Sequence, residues 1–437
     1  MPSNNLNNST MNGSLISLEA KTLFDSYPEA IKQHLYRLFN SVLDILDLNN
    51  TVSILFIGSG SRGELSYKIL DDEIDIFSDY EFVIVVERQL SDSTFNELNS
   101  LFSKLEKEWN IKSPLFYIDY GVSTYLKFKN TPPTLWAYEA KMLGVVVFGK
   151  DVKRDLKDVG IKNIDFGNLN ELVIVRLWNM LVHMNDGFIK NTNTKYENFI
   201  IKFYYARNIL DILTILLPQY NVLKGGYKNR TNYFVKNFHT PEWKIYKDDF
   251  LKATMLKIEL RDDLTLEHAQ DIFYNGYLNL ISDISSLECL NNIDLLESKK
   301  KNLIKRKVFK EKLIRSLRRR YIEFKLFREY YKYSLKSLAL FSNDGLRINL
   351  LFLLLFMHKS LSISLDDNDK ILFLRKAIRY FNKISFQNKF LYDDSVSFDD
   401  NIIKLRHRLL DFMMVWLYGR SSVKKEQIIK YMKWREK

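Results

Sequence analysis

The chain has 437 residues, enough for two or three domains with cores of their own. Its apolar fraction of 46% and charged fraction of 27% are typical of a soluble globular protein and exclude a disordered class. The single cysteine, Cys289, excludes an internal disulfide, and the six scattered histidines give no zinc-binding spacing. We therefore expect a protein of the reducing cytoplasm.

The sequence predicts neither a signal peptide nor a membrane-spanning segment. The first segment, residues 1–18, has no basic stretch followed by an apolar one, so we predict a disordered tail rather than a signal peptide. The longest unbroken apolar run, Leu350 to Met357, is far shorter than the roughly 20 residues that a membrane-spanning helix needs. We therefore predict no transmembrane segment.

The first predicted elements build towards a glycine-serine loop. Ser26 to Glu29 has the form of a capping box, which predicts a helix from Pro28 to Leu46. The apolar run Val52 to Ile57 predicts a buried strand. After it, Gly58 to Ser61 forms a loop that leads through Arg62-Gly63-Glu64 into a predicted short helix. Its backbone N–H groups and hydroxyls suit a phosphate.

Two carboxylates open the next predicted strand, which runs through Phe82 to Val86. Asp79 and Glu81 are two residues apart, so their side chains project from the same side of a strand, about 7 Å apart. Carboxylates so placed can share divalent cations, because hard ions favour oxygen ligands. Glu73 and Asp75 have the same spacing, but we interpret Asp71 to Asp75 as a solvated insertion.

A third carboxylate lies on a later strand. Ser91 to Trp109 predicts an amphipathic helix, and Leu115 to Phe128 predicts a third strand in which Asp119 is the only carboxylate. An Asp in a buried strand is costly without a partner such as a metal, although Asp119 at a bulge or strand end would simply face solvent. Leu135 to Leu143 predicts a helix and Val145 to Phe148 a last strand.

From Asn168 onward the periodicity is helical. Within this region Lys202 and the loop 225–230 are candidates for contacts with nucleotide phosphates, with a solvated loop as the alternative. Arg176 and His183 have the spacing of the R-x4-6-H motif of HEPN ribonucleases, but most pairs with this spacing are structural.

The ordered set of a Gly-Ser loop, paired carboxylates and a third carboxylate resembles the polymerase-beta-type nucleotidyltransferase superfamily. Gly58, Ser59 and Arg62-Gly63-Glu64 follow the GSxxRGE form of bacterial members, with Glu81 in place of the commoner second Asp. The resemblance covers roughly residues 30–150. It implies that Asp79, Glu81 and Asp119 are catalytic and bind Mg²⁺ or Mn²⁺. It further implies that Gly58, Ser59, Arg62 and, from the helical region, Lys202 bind an NTP substrate.

The net charge of +12 is concentrated in one segment. Residues 299–336 hold sixteen Lys and Arg against three Glu, a net of +13, so the remainder is near −1. Three interpretations of this segment are open. It could form a solvated helix face, bind RNA or another polyanion, or bind an anionic membrane surface.

We predict an α+β fold: a small mixed-sheet nucleotidyltransferase domain (19–155) followed by a large all-helical region. That region comprises a helical domain (156–295) and a basic, aromatic-rich domain (296–437). The predicted activity is metal-dependent transfer of an NMP from an NTP to a hydroxyl acceptor, first of all a small molecule, with RNA or protein as other acceptors. The alternative is a non-catalytic nucleic-acid-binding or regulatory protein on the same fold.

Overall fold

The structure is a computed structural model that describes residues 15–70, 73–286, 292–305, 343–384 and 389–418. The chain divides into two compact units, Met1–Gly160 and Ile161–Lys437. Most of the basic segment, from residue 306 onward, lies outside the described residues, as does the predicted tail up to residue 14.

The first unit is built on a four-stranded mixed sheet and a separate hairpin. Strand β1 is antiparallel to both β4 and β6, whereas β4 and β5 are parallel, in the spatial order β5-β4-β1-β6. Strands β2 and β3 pair only with each other. The strands are β1 Thr51–Ile57, β2 Tyr67–Leu70, β3 Glu73–Ile76, β4 Tyr80–Val86, β5 Ile118–Thr124 and β6 Val145–Gly149.

Within the described part of this unit, six α-helices and a 3₁₀ turn at Val152–Asp155 accompany the sheet: α1 Leu18–Asp25, α2 Glu29–Ile45, α3 Gly58–Ser61, α4 Asp92–Trp109, α5 Tyr125–Lys129 and α6 Leu135–Leu143. Side chains alternate between the two faces of the strands, so the apolar runs supply two cores. Phe56 and Phe82 belong to the larger core, under α2 and α4, while Leu55 and Val83 belong to the smaller one. The smaller core includes Phe128 and Ala140, which come from α5 and α6.

Several expected elements of this unit are wrong in detail. Glu64 leads into β2 rather than a helix, because the short helix is the Gly-Ser turn itself. The predicted third strand ends at Thr124 and continues as α5. No side chain caps α2, since Ser26 instead ends α1, with its hydroxyl donating to the carbonyl of Leu23. Residues 15–18 are not part of a tail, because Ser17 caps α1.

The second unit consists of helices and connecting loops, with a 3₁₀ turn at Ile161–Asn163 and no strand among the residues that the structure describes. Its long central helix α9 is buried along most of its length. The helices are α7 Phe166–His183, α8 Asp186–Ile189, α9 Lys195–Gln219, α10 Tyr227–Asn237, α11 Pro241–Lys244, α12 Lys247–Glu259, α13 Leu266–Ile284, α14 Ile293–Ser298, α15 Lys300–Lys305, α16 Asn343–Ser360, α17 Asp367–Ile384 and α18 Phe398–Tyr418.

The α+β class, with a small mixed sheet followed by a helical region, is therefore confirmed. Buried ion pairs join helices of the second unit, such as Arg347 on α16 with Glu171 on α7 at 3.0 Å. None of the described helices is both long enough and apolar enough to cross a membrane.

Candidate active site

Two of the three predicted carboxylates face each other across a parallel strand pair. Glu81 on β4 and Asp119 on β5 are register partners, so their side chains project to the same face of the sheet. Asp79 immediately precedes β4 and is two residues from Glu81. All three residues are partly buried. The parallel pairing thus brings carboxylates that are about 40 residues apart in sequence to one end of the sheet.

Asp79 and Asp119 also influence each other electrostatically. Burial, and to a smaller extent the negative charge of Asp79, raise the pKa of the Asp119 carboxyl to about 6. The backbone N–H of Tyr120 opposes this by donating to the Asp119 carboxylate. The site therefore concentrates negative charge that a cation would offset.

The glycine-serine turn lies beside these carboxylates because β1 is antiparallel to β4. Ile57, the last residue of β1, pairs with Glu81 near the start of β4, so the following Gly58 lies next to the Glu81 side chain. A Cβ atom on Gly58 would come within 2.6 Å of Glu81 Oε2, and Gly58 has a φ of +72°, which other residues rarely adopt. This position therefore requires glycine for two independent reasons.

Ser59 supplies a hydroxyl that is buried at this turn. Its Oγ atom has no hydrogen-bond partner within the part of the chain that the structure describes. An unmade hydrogen bond of a buried hydroxyl costs about 1–3 kcal/mol, which a ligand atom would recover. Ser59 is thus positioned to donate to an anionic ligand.

Arg62 forms two ion pairs at the turn, and its predicted contact with a phosphate remains a prediction. Its Nε donates to Glu64 Oε2 at 3.1 Å and its Nη1 to Glu139 Oε2 at 3.3 Å, with only 10% of the side chain exposed. Glu139 lies on α6 and carried no signal in the sequence, because a glutamate within an amphipathic helix is unremarkable. Arg62 therefore connects the turn to α6.

Lys202 lies on α9 in the second unit and forms an ion pair with Asp262. Its predicted contact with a nucleotide remains a prediction. Arg176 and His183 lie within the helical core, where Arg176 pairs with Asp211 at 2.7 Å and the buried His183 ring stacks on Tyr204. A stacked, buried histidine does not form an accessible ribonuclease site, so the structural interpretation of this pair is favoured.

The rival pair Glu73 and Asp75 lies on β3, outside the main sheet. The prediction of a solvated insertion is wrong for Asp75, which is buried and accepts a hydrogen bond from the backbone N–H of Ser113 at 2.7 Å. Asp75 therefore has a structural role, fixing the segment that leads into β5.

The described side chains do not form a preassembled metal-binding site. Among the residues that the structure describes, no three His, Cys, Asp or Glu side chains form a group that could hold a metal ion. Ligation of Mg²⁺ or Mn²⁺ by Asp79, Glu81 and Asp119 therefore remains a prediction.

Comparisons with known proteins add little to this geometry. No protein-family model matches the chain, and no curated protein matches it. Among solved structures the chain is similar to the spectinomycin adenyltransferase AAD(9) from Enterococcus faecialis, crystallised with ATP and spectinomycin. The similarity covers 56% of this chain and 98% of that chain, at 16% identity and a TM-score of 0.36. A superposition this loose carries no assignment of family or activity.

Proposed function

We propose that the chain is a metal-dependent nucleotidyltransferase that moves an NMP unit from an NTP to a hydroxyl acceptor and releases pyrophosphate. The observation that supports this proposal is that Glu81 lies beside Gly58 and is the register partner of Asp119, whose carboxyl is influenced by the charge of Asp79. Carboxylates next to a turn with a buried hydroxyl suit a reaction in which cations and phosphates occupy neighbouring positions.

The three carboxylates would hold Mg²⁺ or Mn²⁺, since both ions favour oxygen ligands. The charge of Asp79 already disfavours ionisation of Asp119, and this uncompensated negative charge is the observation that fits a cation. When bound, the metal would offset the charge between an attacking oxygen and a triphosphate.

The turn would receive the phosphates. Ser59 Oγ would donate to a phosphate oxygen, and the missing side chain at Gly58 leaves space directly beside Glu81. The proposed phosphate contact of Arg62 requires one of its pairs with Glu64 or Glu139 to open. A contact from Lys202 likewise requires its pair with Asp262 to open.

Asp119 is the proposed proton acceptor for the attacking hydroxyl. A general base works best with a pKa near the operating pH, and burial together with the charge of Asp79 raises the Asp119 pKa to about 6. The acceptor O–H would transfer its proton to the Asp119 carboxylate while the acceptor oxygen bonds to the α-phosphorus of the NTP. Pyrophosphate would leave with the electron pair of the broken P–O bond.

The test combines nucleotide binding with pyrophosphate release. Isothermal titration with ATP, GTP, CTP and UTP in the presence of Mg²⁺ should give binding of at least one NTP. Asp79→Asn should abolish pyrophosphate release, whereas Asp44→Asn removes an exposed carboxylate from α2 and should leave it unchanged. Binding of none of the four NTPs, or full turnover by Asp79→Asn, would overturn the proposal.

The narrower form of the proposal takes a small hydroxyl-bearing molecule as the acceptor. Incubation with an α-³²P-labelled NTP and separate pools of small polyols, RNA and acid-denatured protein distinguishes the acceptor classes by where the label is transferred. Label in RNA or protein alone would reject the small-molecule form and leave nucleotidyl transfer intact.

A further inference from the structure

A cationic groove lies on the second unit, between α17 and the segment that follows it. The groove has a volume of about 630 Å³ and is open to solvent. The described residues that line it carry four cations and one carboxylate, a net of 4 − 1 = +3. They are Arg375, Ile378, Arg379, Asn382, Lys383, Lys389, Phe390, Leu391, Tyr392 and Asp394.

Three of the cations form a row on one face of α17. Arg375, Arg379 and Lys383 are each four residues apart, so they are neighbours along the helix surface at intervals of about 6 Å. Like charges at this spacing destabilise a helix. In agreement, burial and the adjacent Arg379 lower the pKa of Lys383. Replacement of one cation in this row by a neutral residue would therefore stabilise the helix.

A further lysine extends the positive charge beyond the groove. Lys300 on α15 has its ammonium 4.7 Å from the centre of the Tyr380 ring, and Lys383 lies over the same ring at 4.5 Å. Burial, together with Lys383 and Arg379, lowers the pKa of Lys300 to about 8. Lys300 is also the second residue of the basic segment 299–336.

Carboxylates neutralise only part of this charge. Arg379 donates to Glu297 at 2.7 Å and Arg375 donates to Asp394 at 2.7 Å, and both arginines are about half exposed (54% and 53%). Lys383 and Lys389 are exposed, and both line the groove. The groove thus keeps accessible positive charge.

The segment that follows α17 contributes an apolar and aromatic wall to the groove, formed by Phe390, Leu391 and Tyr392. Tyr392 lies beneath the Arg375 guanidinium at 4.9 Å, and Leu391 is 74% exposed. Asn382 holds this wall in place, since it both donates to the carbonyl of Phe390 and accepts from its N–H, each at 2.8 Å. Apolar and aromatic side chains beside a line of cations are the combination with which proteins bind single strands, with bases on the rings and phosphates on the cations.

We infer that this groove binds a segment of single-stranded nucleic acid. The strand would lie along α17, with successive phosphates near Arg375, Arg379 and Lys383 and with bases against Leu391 and Tyr392. A row of cations about 12 Å long suits an extended ligand with several charges better than one phosphate group. The inference is independent of the proposed nucleotidyl transfer and uses none of its residues.

The test measures binding of the full-length chain to fluorescein-labelled oligonucleotides of about 12 nucleotides, as RNA and as DNA, by fluorescence anisotropy. Lys383→Gln/Lys389→Gln removes two exposed cations of the groove. Lys236→Gln/Lys404→Gln removes two exposed cations from α10 and α18 and is the matched control. Circular dichroism of both variants checks that the helices are retained.

The groove variant should weaken strand binding by about tenfold and reduce the slope of log K against log salt by about 1.4, because each contact to a single strand contributes about 0.7. The control should leave both quantities unchanged. Equal weakening by both variants, or none by either, would overturn the inference. It would also fail if tripolyphosphate bound as tightly as the strand, or if only anionic vesicles bound.

Discussion

Gly58→Ala tests the geometry of the candidate site most directly, because two penalties coincide at this residue. Gly58 has a φ of +72°, and an L-residue in this region costs about 1–2 kcal/mol. The new Cβ would also lie 2.6 Å from Glu81 Oε2 and 3.2 Å from Glu81 Cβ, so the carboxylate must move. Forcing a side chain off its rotamer adds about 0.5–1.5 kcal/mol. The free energy of unfolding should therefore fall by about 2–3 kcal/mol.

Gly63→Ala is the matched control, since Gly63 has a φ of +68° but nothing lies within 4 Å of its Cβ position. It should incur the backbone penalty of about 1–2 kcal/mol and leave Glu81 in place. Urea unfolding followed by tryptophan fluorescence measures both stabilities, and pyrophosphate release measures turnover. Only Gly58→Ala should lose turnover. Equal stabilities and equal turnover in the two variants would show that Gly58 does not contact Glu81.

Three further predictions concern the framework around the site and the helical unit. Burial and Arg37 lower the pKa of His34 to about 4. Acidification below the unfolded-state pKa of about 6.5 should therefore destabilise the protein by up to about 3 kcal/mol. His34→Phe should remove this part of the acid sensitivity, as measured by urea titrations at pH 7.5 and 4.5. Asp75→Ala should cost about 1–3 kcal/mol by removing the acceptor for the Ser113 N–H, whereas Asp75→Asn should cost less, as measured by urea unfolding. Glu171→Ala should cost about 3–5 kcal/mol because it removes the carboxylate that pairs with the buried Arg347 guanidinium at 3.0 Å, and equal stability of the variant in calorimetry would contradict this.

Local patterns in the sequence determined much of the first unit. Alternating and continuous apolar runs located β1 and β4, and the predicted bounds of α6, Leu135 to Leu143, agree with the structure. The spacing of Asp79 and Glu81 is also local, since two positions along a strand always share a face. Such features depend on backbone geometry within a few residues, so the sequence alone is enough to find them.

Where short-range signals compete, tertiary packing decided the outcome. The sequence predicts a solvated insertion at Asp71 to Asp75, yet β2 and β3 pair as a hairpin and Asp75 is buried against Ser113. The sequence predicts a phosphate contact for Arg62, and only the structure shows that Arg62 forms ion pairs with Glu64 and Glu139. The residues around Arg62 in the sequence do not indicate that Glu139, on α6, is its partner.

Asp119 shows the same division most clearly. The sequence alone predicts that Asp119 lies in an apolar strand, where burial of a carboxylate without a partner is costly in free energy. The parallel pairing of β4 with β5 decided that this carboxylate lies at the register of Glu81 and within the electrostatic reach of Asp79. Strand order and direction depend on how the whole unit buries its apolar faces, so chemistry that requires two strands to meet becomes visible only in the folded chain.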